Sequence, residues 1–414
     1  MKCRTTLLIC ALVCFSFVVL LAGCSVDADD TNLESDAAAT FEVGAGEPIL
    51  DSSHWQSAFP TQVATFKLND KRSEYHSYLE AYPWLSTIYE GGGFAKGYNS
   101  ARAHPFAVTD VNETPRISEA SPSACFGCKS PQYPIAEARD ASGLHAKSFF
   151  DVRDQMTQTV SCYDCHLNEP GRGKTGSSLP YPGGFLGSIR IHFNDAFSDV
   201  APANAACGQC HNEYYFNADK AITLPVEMTD PGDIYAFYQS IEFVDYTSTS
   251  TGTGHVKAQH PEFQVVAGTV HDRAGLTCAS CHLAKTTSNK GQVTSHTITN
   301  PLESATIRNS VCLPCHPGTT SITLIEEAQT RTKAQTAAVA ERLAAFNVRL
   351  GSLVAAGSLS DAQLSEVRAL NREATWYWDW VFVENSHGAH NPAQAKACLD
   401  KADALLAQAE ALLP

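Results

Sequence analysis

The chain has 414 residues, 44% of them hydrophobic, enough for a sizeable core in one large or two medium globular domains. Its formal net charge is −15, and a surface of that sign repels nucleic acid and anionic lipid, which excludes both as partners of the bulk surface. An anionic substrate must therefore be drawn in by a local positive field.

Residues 1–23 read as a lipoprotein-type signal peptide. Lys2 and Arg4 precede an uncharged stretch from Thr5 to Val26, and Leu21-Ala22-Gly23-Cys24 resembles a lipobox, in which Cys24 becomes the lipidated first residue. An uncleaved signal anchor is the alternative, the stretch being just long enough to span a bilayer. Either reading puts the rest of the chain outside the cytoplasmic membrane, in the periplasm or at the cell surface. Residues 24–48 form an acidic flexible tether, with Asp27, Asp29, Asp30, Glu34, Asp36, Glu42 and Glu47 among few large apolar residues.

Residues 49–320 hold five Cys-x-x-Cys pairs: Cys125/Cys128, Cys162/Cys165, Cys207/Cys210, Cys278/Cys281 and Cys312/Cys315. The residue following each is Lys129, His166, His211, His282 or His316. Taken singly, such a pair could be a zinc site, a redox dithiol or a structural disulfide. Four copies with His in the same place instead match haem c attachment, where two thiols bond the haem and the next residue reaches the iron. A relay iron needs a second ligand from the opposite side, and the histidines outside the motifs are numerous enough to supply it. Lys129 is the exception. A lysine binds iron only as the neutral amine, so the metal must displace its proton, and a haem distinguished in this way is a candidate for the place where iron meets substrate.

The expected fold is mainly α, with haem-binding segments in loops and short helices and long helices at the C-terminus. In the long-helix region, residues 321–414, three helices are predicted. The first runs from about Ile322 to Leu353 with a stripe of Leu324, Ala328, Val339, Leu343, Phe346 and Leu350, interrupted at Thr332 and Gln335. The second opens near Ser360-Asp361, with Leu364, Val367, Leu370, Ala374 and Trp378 on one face and Glu366 near a capping position. The third opens at Asn391-Pro392 and carries Leu399, Ala402, Leu406 and Ala409. Cys398 within it reads as a small buried residue.

The stretch from Cys125 to Pro131, Cys-Phe-Gly-Cys-Lys-Ser-Pro, resembles the active-site motif of the ammonia-forming pentahaem cytochrome c nitrite reductases. So do Arg102 to Asp110, Glu113-Thr114-Pro115-Arg116, Cys207 to Phe216, and Lys257-Ala258-Gln259-His260-Pro261-Glu262, and the likeness spans nearly all of the chain beyond the tether. The resemblance implies five haem c groups and a calcium ion. It implies Arg116, Tyr214 and His260 as catalytic residues, and Glu213, Tyr214 (by its carbonyl), Lys257 (by its carbonyl) and Gln259 as calcium ligands, oxygen donors of the kind calcium prefers. By the same likeness His296 is the distal ligand of the second haem, His104 of the third, His390 of the fourth, with His387 as a nearby rival, and His271 of the fifth. The Lys129 haem then has no distal partner.

The implied activity is six-electron reduction of nitrite to ammonium at the lysine haem, fed by four bis-histidine haems. A membrane quinol-oxidising multihaem cytochrome is the implied donor, and a homodimer through the long helices the implied assembly. Two rival readings are a non-catalytic electron wire, in which a residue such as His260 closes the lysine haem, and a reductase acting mainly on hydroxylamine or sulfite.

Overall fold

A computed structural model of the protein describes residues 49–139, 143–167, 181–182, 200–223, 225, 227–289, 291–318 and 320–414. The signal peptide, Cys24 and the acidic tether lie outside the described residues. Among the described residues no helix is long and apolar enough to cross a membrane.

The fold is mainly helical, as expected, and its strands are short antiparallel pairs. The longest pair is a hairpin of Leu283–Ser288 and Gly291–Ile298, turned by Gly291 at φ 112°, a backbone conformation that L side chains rarely adopt. Three long helices end the chain: Thr320–Ala355, Asp361–Val383 and Pro392–Ala411. Ser360 caps the second in a reciprocal capping box with Gln363, so the capping partner is Gln363 rather than Glu366. Asn391 caps the third by accepting the Gln394 N–H (3.1 Å), with Pro392 in the first turn, where its missing N–H costs nothing.

Two predictions about the stripes need correction. Leu324 is 57% exposed and outside the core, whereas Thr332 is buried. Thr332 continues the stripe because it packs against Gly388, where an added Cβ would come within 2.6 Å of its hydroxyl. The second helix is not one-faced along its length, since every residue from Ala374 to Val381 is buried. A helix buried all round must be surrounded, and here residues of segments 84–98 and 231–258 pack against it beside its helical neighbours. Its three tryptophans keep their indole N–H groups bonded: Trp376 to the Pro231 carbonyl (2.9 Å), Trp378 to the Thr336 carbonyl (3.0 Å) and Trp380 to Gln394 (3.3 Å). Cys398 is buried in the third helix, as predicted.

The Cys-x-x-Cys segments sit on much smaller elements. Helices span Cys162–Cys165, Pro202–Gly208 and Cys278–His282, a 3-10 helix spans Ser123–Cys128 and a π-helical turn spans Arg308–Cys312. Ser161 and Thr277 start two of them with capping boxes, to Asp164 and Ser280. The third motif lies partly on a short helix and partly in the turn after it. Its helix stops at Gly208, so Cys207 is helical while Cys210 lies beyond the end. The backbone N–H groups of Cys210 and His211 both donate to the Cys207 carbonyl (3.1 and 2.9 Å), the shared acceptor that is common where a helix ends. A small second core backs the first motif, where Phe126 stacks on Phe149 with centroids 4.3 Å apart.

Candidate functional site

None of the ten motif cysteines is joined in a disulfide. Cys125, Cys128, Cys162, Cys165, Cys207, Cys210, Cys278, Cys281 and Cys312 are half-buried, and Cys315 is exposed. Among the described residues, no three His, Cys, Asp or Glu side chains converge as a metal-ion site. The pairs are therefore arranged neither as structural disulfides nor as zinc cages. The Cys207 thiol of the third motif lies within interaction reach of Cys278 of the fourth.

Each motif histidine faces a histidine from a distant part of the chain. Ring centroids are 6.0 Å apart for His166 and His296, 6.1 Å for His282 and His390, 6.2 Å for His271 and His316, and 6.4 Å for His104 and His211. That spacing suits a metal between them, since an imidazole–metal bond of about 2 Å plus the ring's half-width puts each ring centre about 3 Å from the metal, or roughly 6 Å from centre to centre across it. His390, and not His387, faces His282. His387 takes a left-handed backbone (φ 55°) in the same turn.

Several of these rings hold Nδ1 against an acceptor. His282 meets the Thr299 carbonyl (3.0 Å), His296 the Thr294 carbonyl (3.1 Å) and His390 the Glu384 carboxylate (2.6 Å). An Nδ1–H engaged in this way leaves Nε2 unprotonated and free for iron. Burial also holds His104 and His166 down to about 4, so both are neutral.

Around the first motif, Arg116 and Tyr214 lie within electrostatic reach of Cys125, and His260 lies within reach of Lys129. Arg116 lies over the Phe94 ring (4.7 Å) and acts electrostatically on Cys125 and Tyr214. Burial pushes the Tyr214 phenol well above its ordinary range, so it stays a proton donor. His260 is pushed down to about 3 by burial, against the pull of Glu262 and with help from Lys129, and its Nδ1 has no hydrogen-bond partner. The His260 ring also stands 6.3 Å from His211, so His211 is flanked by His104 on one side and His260 on another. Glu262 completes the group at 3.9 Å from His211, an electrostatic contact beyond hydrogen-bond length.

Beside this cavity lies a buried acidic knot. The Glu213 carboxylate accepts the Tyr238 hydroxyl (2.9 Å) and the Gln259 N–H (2.7 Å). The Gln259 amide donates to Asp245 (3.2 Å) and to the Lys257 carbonyl (3.0 Å). Burial pushes Glu213 up to about 8, and Asp245 up to about 6 against the Lys257 charge. The Lys257 ammonium is itself buried and pairs with Asp379 of the second long helix at 3.1 Å. Burial raises Glu213, Asp245 and Asp379 alike although the Lys257 ammonium offsets each, and a divalent cation with oxygen ligands would relieve carboxyls crowded in this way.

Asp245, Asp379 and Glu384 were not singled out as functional from the sequence. A signal existed for Asp379, the lone carboxylate in the apolar run Trp376-Tyr377-Trp378-Asp379-Trp380-Val381. A charge there must find a buried partner. Asp379 accepts the Tyr89 hydroxyl (2.5 Å) and the Ala258 N–H (3.0 Å) as well as Lys257.

Comparison with known proteins agrees with this geometry. The family model described as cytochrome c552 matches residues 51–414. A cytochrome c-552 of Desulfotalea psychrophila is 27% identical over 380 residues, which cover 85% of this chain and 72% of that protein. The cytochrome c nitrite reductase subunit NrfA of Nitratidesulfovibrio vulgaris is 28% identical over 425 residues, with 90% and 79% covered. A solved cytochrome c nitrite reductase from Desulfovibrio desulfuricans, whose catalytic subunit is described with two calcium sites, has the same fold. Its TM-score is 0.76 at 23% identity, covering 89% of this chain and 87% of that one.

Proposed function

Because the chain belongs to the cytochrome c552 family, we propose that it is an exported nitrite reductase that forms ammonium at the lysine-bearing first motif. The observation that carries this reading is the first motif itself, where Lys129 stands in place of the histidine of the other four, with Arg116 and Tyr214 in electrostatic reach of its cysteines and His260 in reach of Lys129. Similarity to nitrite reductases along most of the chain supports it.

Five haem c groups would be held by the ten motif cysteines, with Lys129 on the first. His166 and His296 would ligate the second, His211 and His104 the third (attached through Cys207 and Cys210), His282 and His390 the fourth, and His316 and His271 the fifth. Bound haem would supply the electrons and an iron position for the substrate nitrogen, nitrite taking six electrons and eight protons to give ammonium and two waters. A calcium ion would be held by the Glu213 carboxylate, the Tyr214 and Lys257 carbonyls and the Gln259 side chain, and would add positive charge beside the cavity.

The side chains divide the remaining work. The Arg116 guanidinium holds the anion and provides the local positive field that an acidic protein otherwise lacks. Neutral His260 hydrogen-bonds the departing oxygen and passes protons to it. The protonated Tyr214 phenol donates to bound intermediates. Glu262 sits close enough to bias both His260 and His211 toward carrying a proton.

The lipobox ending at Cys24 supports a lipid-anchored protein outside the cytoplasmic membrane. A membrane quinol-oxidising multihaem cytochrome is the proposed electron donor, and the long helices are the proposed homodimer face.

The decisive experiment is anaerobic turnover of the five-haem protein with a reduced dye and nitrite, quantifying ammonium, beside His260→Ala. Stoichiometric ammonium is expected, with a loss of roughly 10²–10⁴-fold in the variant, as for removal of a general acid–base group. No nitrite consumption by the fully loaded protein would replace this reading with an electron wire. Parallel rates on hydroxylamine and sulfite rank the substrates.

A further inference from the structure

The second long helix ends at Val383, and the chain turns at once through Glu384-Asn385-Ser386-His387-Gly388-Ala389-His390. Glu384 is 2% exposed in this turn. A carboxylate so buried needs several donors, and it has them: the Ser386 N–H (3.1 Å), the Ser386 hydroxyl (2.6 Å) and Nδ1 of His390 (2.6 Å). The His390 backbone N–H in turn donates to the Ser386 hydroxyl oxygen (2.9 Å). The first long helix fixes the turn from outside, with Gln329 donating to the Ser386 carbonyl (2.9 Å) and Thr332 against Gly388. Ring orientation and carboxylate position are thus set together.

The other ligand histidines are treated differently. His282 and His296 face neutral carbonyls, and Glu262 stands too far from His211 for a hydrogen bond. Among the described residues the bond to Glu384 is the one that a proposed haem ligand makes to a carboxylate.

Resting on the haem assignment above, we propose that Glu384 is a positioning residue that lowers the reduction potential of the haem held between His282 and His390. A carboxylate sharing the Nδ1 proton gives the ring partial imidazolate character and makes Nε2 a stronger donor. A stronger donor, and a buried negative charge nearby, favour ferric over ferrous iron when one electron is added. Burial keeps salt from screening the effect. Cys278 of this motif lies beside Cys207 of the third, so the haem whose potential Glu384 lowers borders the one flanked by His104 and His260.

The test is a redox titration of the five-haem protein followed by electron paramagnetic resonance, with Glu384→Gln, Glu384→Asp and His390→Met. In Glu384→Gln, which keeps the shape and removes the charge, one low-spin haem moves to higher potential and the others stay; Glu384→Asp, which keeps the charge, returns it most of the way. An unchanged potential in Glu384→Gln with all haems attached overturns the inference, as does an equal shift in both variants, which would report lost packing. His390→Met separates the two readings. If it leaves every low-spin signal unaltered, the ligand assignment fails; if it alters one while Glu384→Gln moves nothing, this inference alone falls.

Discussion

The second long helix buries twelve of its side chains, including three tryptophans, against neighbouring protein. The motif segments, by contrast, are helices or helical turns of four to seven residues, and they leave nine of their ten cysteines half-buried and the tenth exposed. Isolated helices so short are not stable in water, and most helical stability comes from packing. The bundle finds that packing in its own chain, whereas the motif segments present paired rings with about a metal's width between them. The first region is specified by protein packed on protein, the second by groups that protein alone does not supply.

The sharpest way to break that contrast is to prevent haem attachment and follow hydrogen exchange. The haem-free chain should keep protection in residues 361–383 and 392–411 and lose it across 200–318, because attachment of a structural group is also folding free energy. Uniform loss of protection would mean that the bundle is not self-sufficient.

A smaller effect is expected at the charged bridge between the regions that the described residues show, Asp379 to Lys257. Asp379 projects from the bundle to Lys257 and Ala258 of the loop that carries His260. Asp379→Asn removes the carboxylate that touches the buried Lys257 ammonium and leaves only Glu213 and Asp245 acting on it from farther off, and breaking such a pair costs up to about 3–5 kcal/mol. The melting temperature should fall, and calcium retained through dialysis should fall with it. Calcium retention at the native level would show that the loop holds its shape without the bundle.

The smallest change probes the bundle alone. Ser360→Ala removes the capping hydroxyl of the second helix and should cost about 1 kcal/mol by denaturant titration, with the ratio of ammonium formed to folded protein unaltered. A matching loss of turnover would show that the two regions are coupled more tightly than their packing suggests.

Much of the bundle was legible before folding. Ser360 and Asn391 mark their helix starts by local hydrogen bonding, and Leu399, Ala402, Leu406 and Ala409 repeat at helical spacing and are all buried. Leu324 and Thr332 were misjudged because a stripe read from hydrophobicity cannot see that a glycine lies opposite a threonine. In the motif region, Cys-x-x-Cys-His was legible because attachment chemistry demands adjacent residues, although the same spacing did not reveal that the helix under Cys207 would end before Cys210. The histidine facing each motif is remote in the chain, so its assignment came through resemblance, and spacing alone offered no choice between His387 and His390.

What the sequence determined by itself was therefore local: five attachment motifs, the substitution of Lys129 for a histidine, helix caps, and amphipathic repeats. Tertiary structure alone decided what meets across long separations. It set His390 and not His387 opposite His282, buried Asp379 against Lys257, gathered Glu213 and Asp245 into one acidic knot, and turned the Glu384 carboxylate onto a ring nitrogen. The physical reason is that a buried charge is tolerable only where partners from elsewhere in the chain converge on it, and that convergence is a property of the packed molecule.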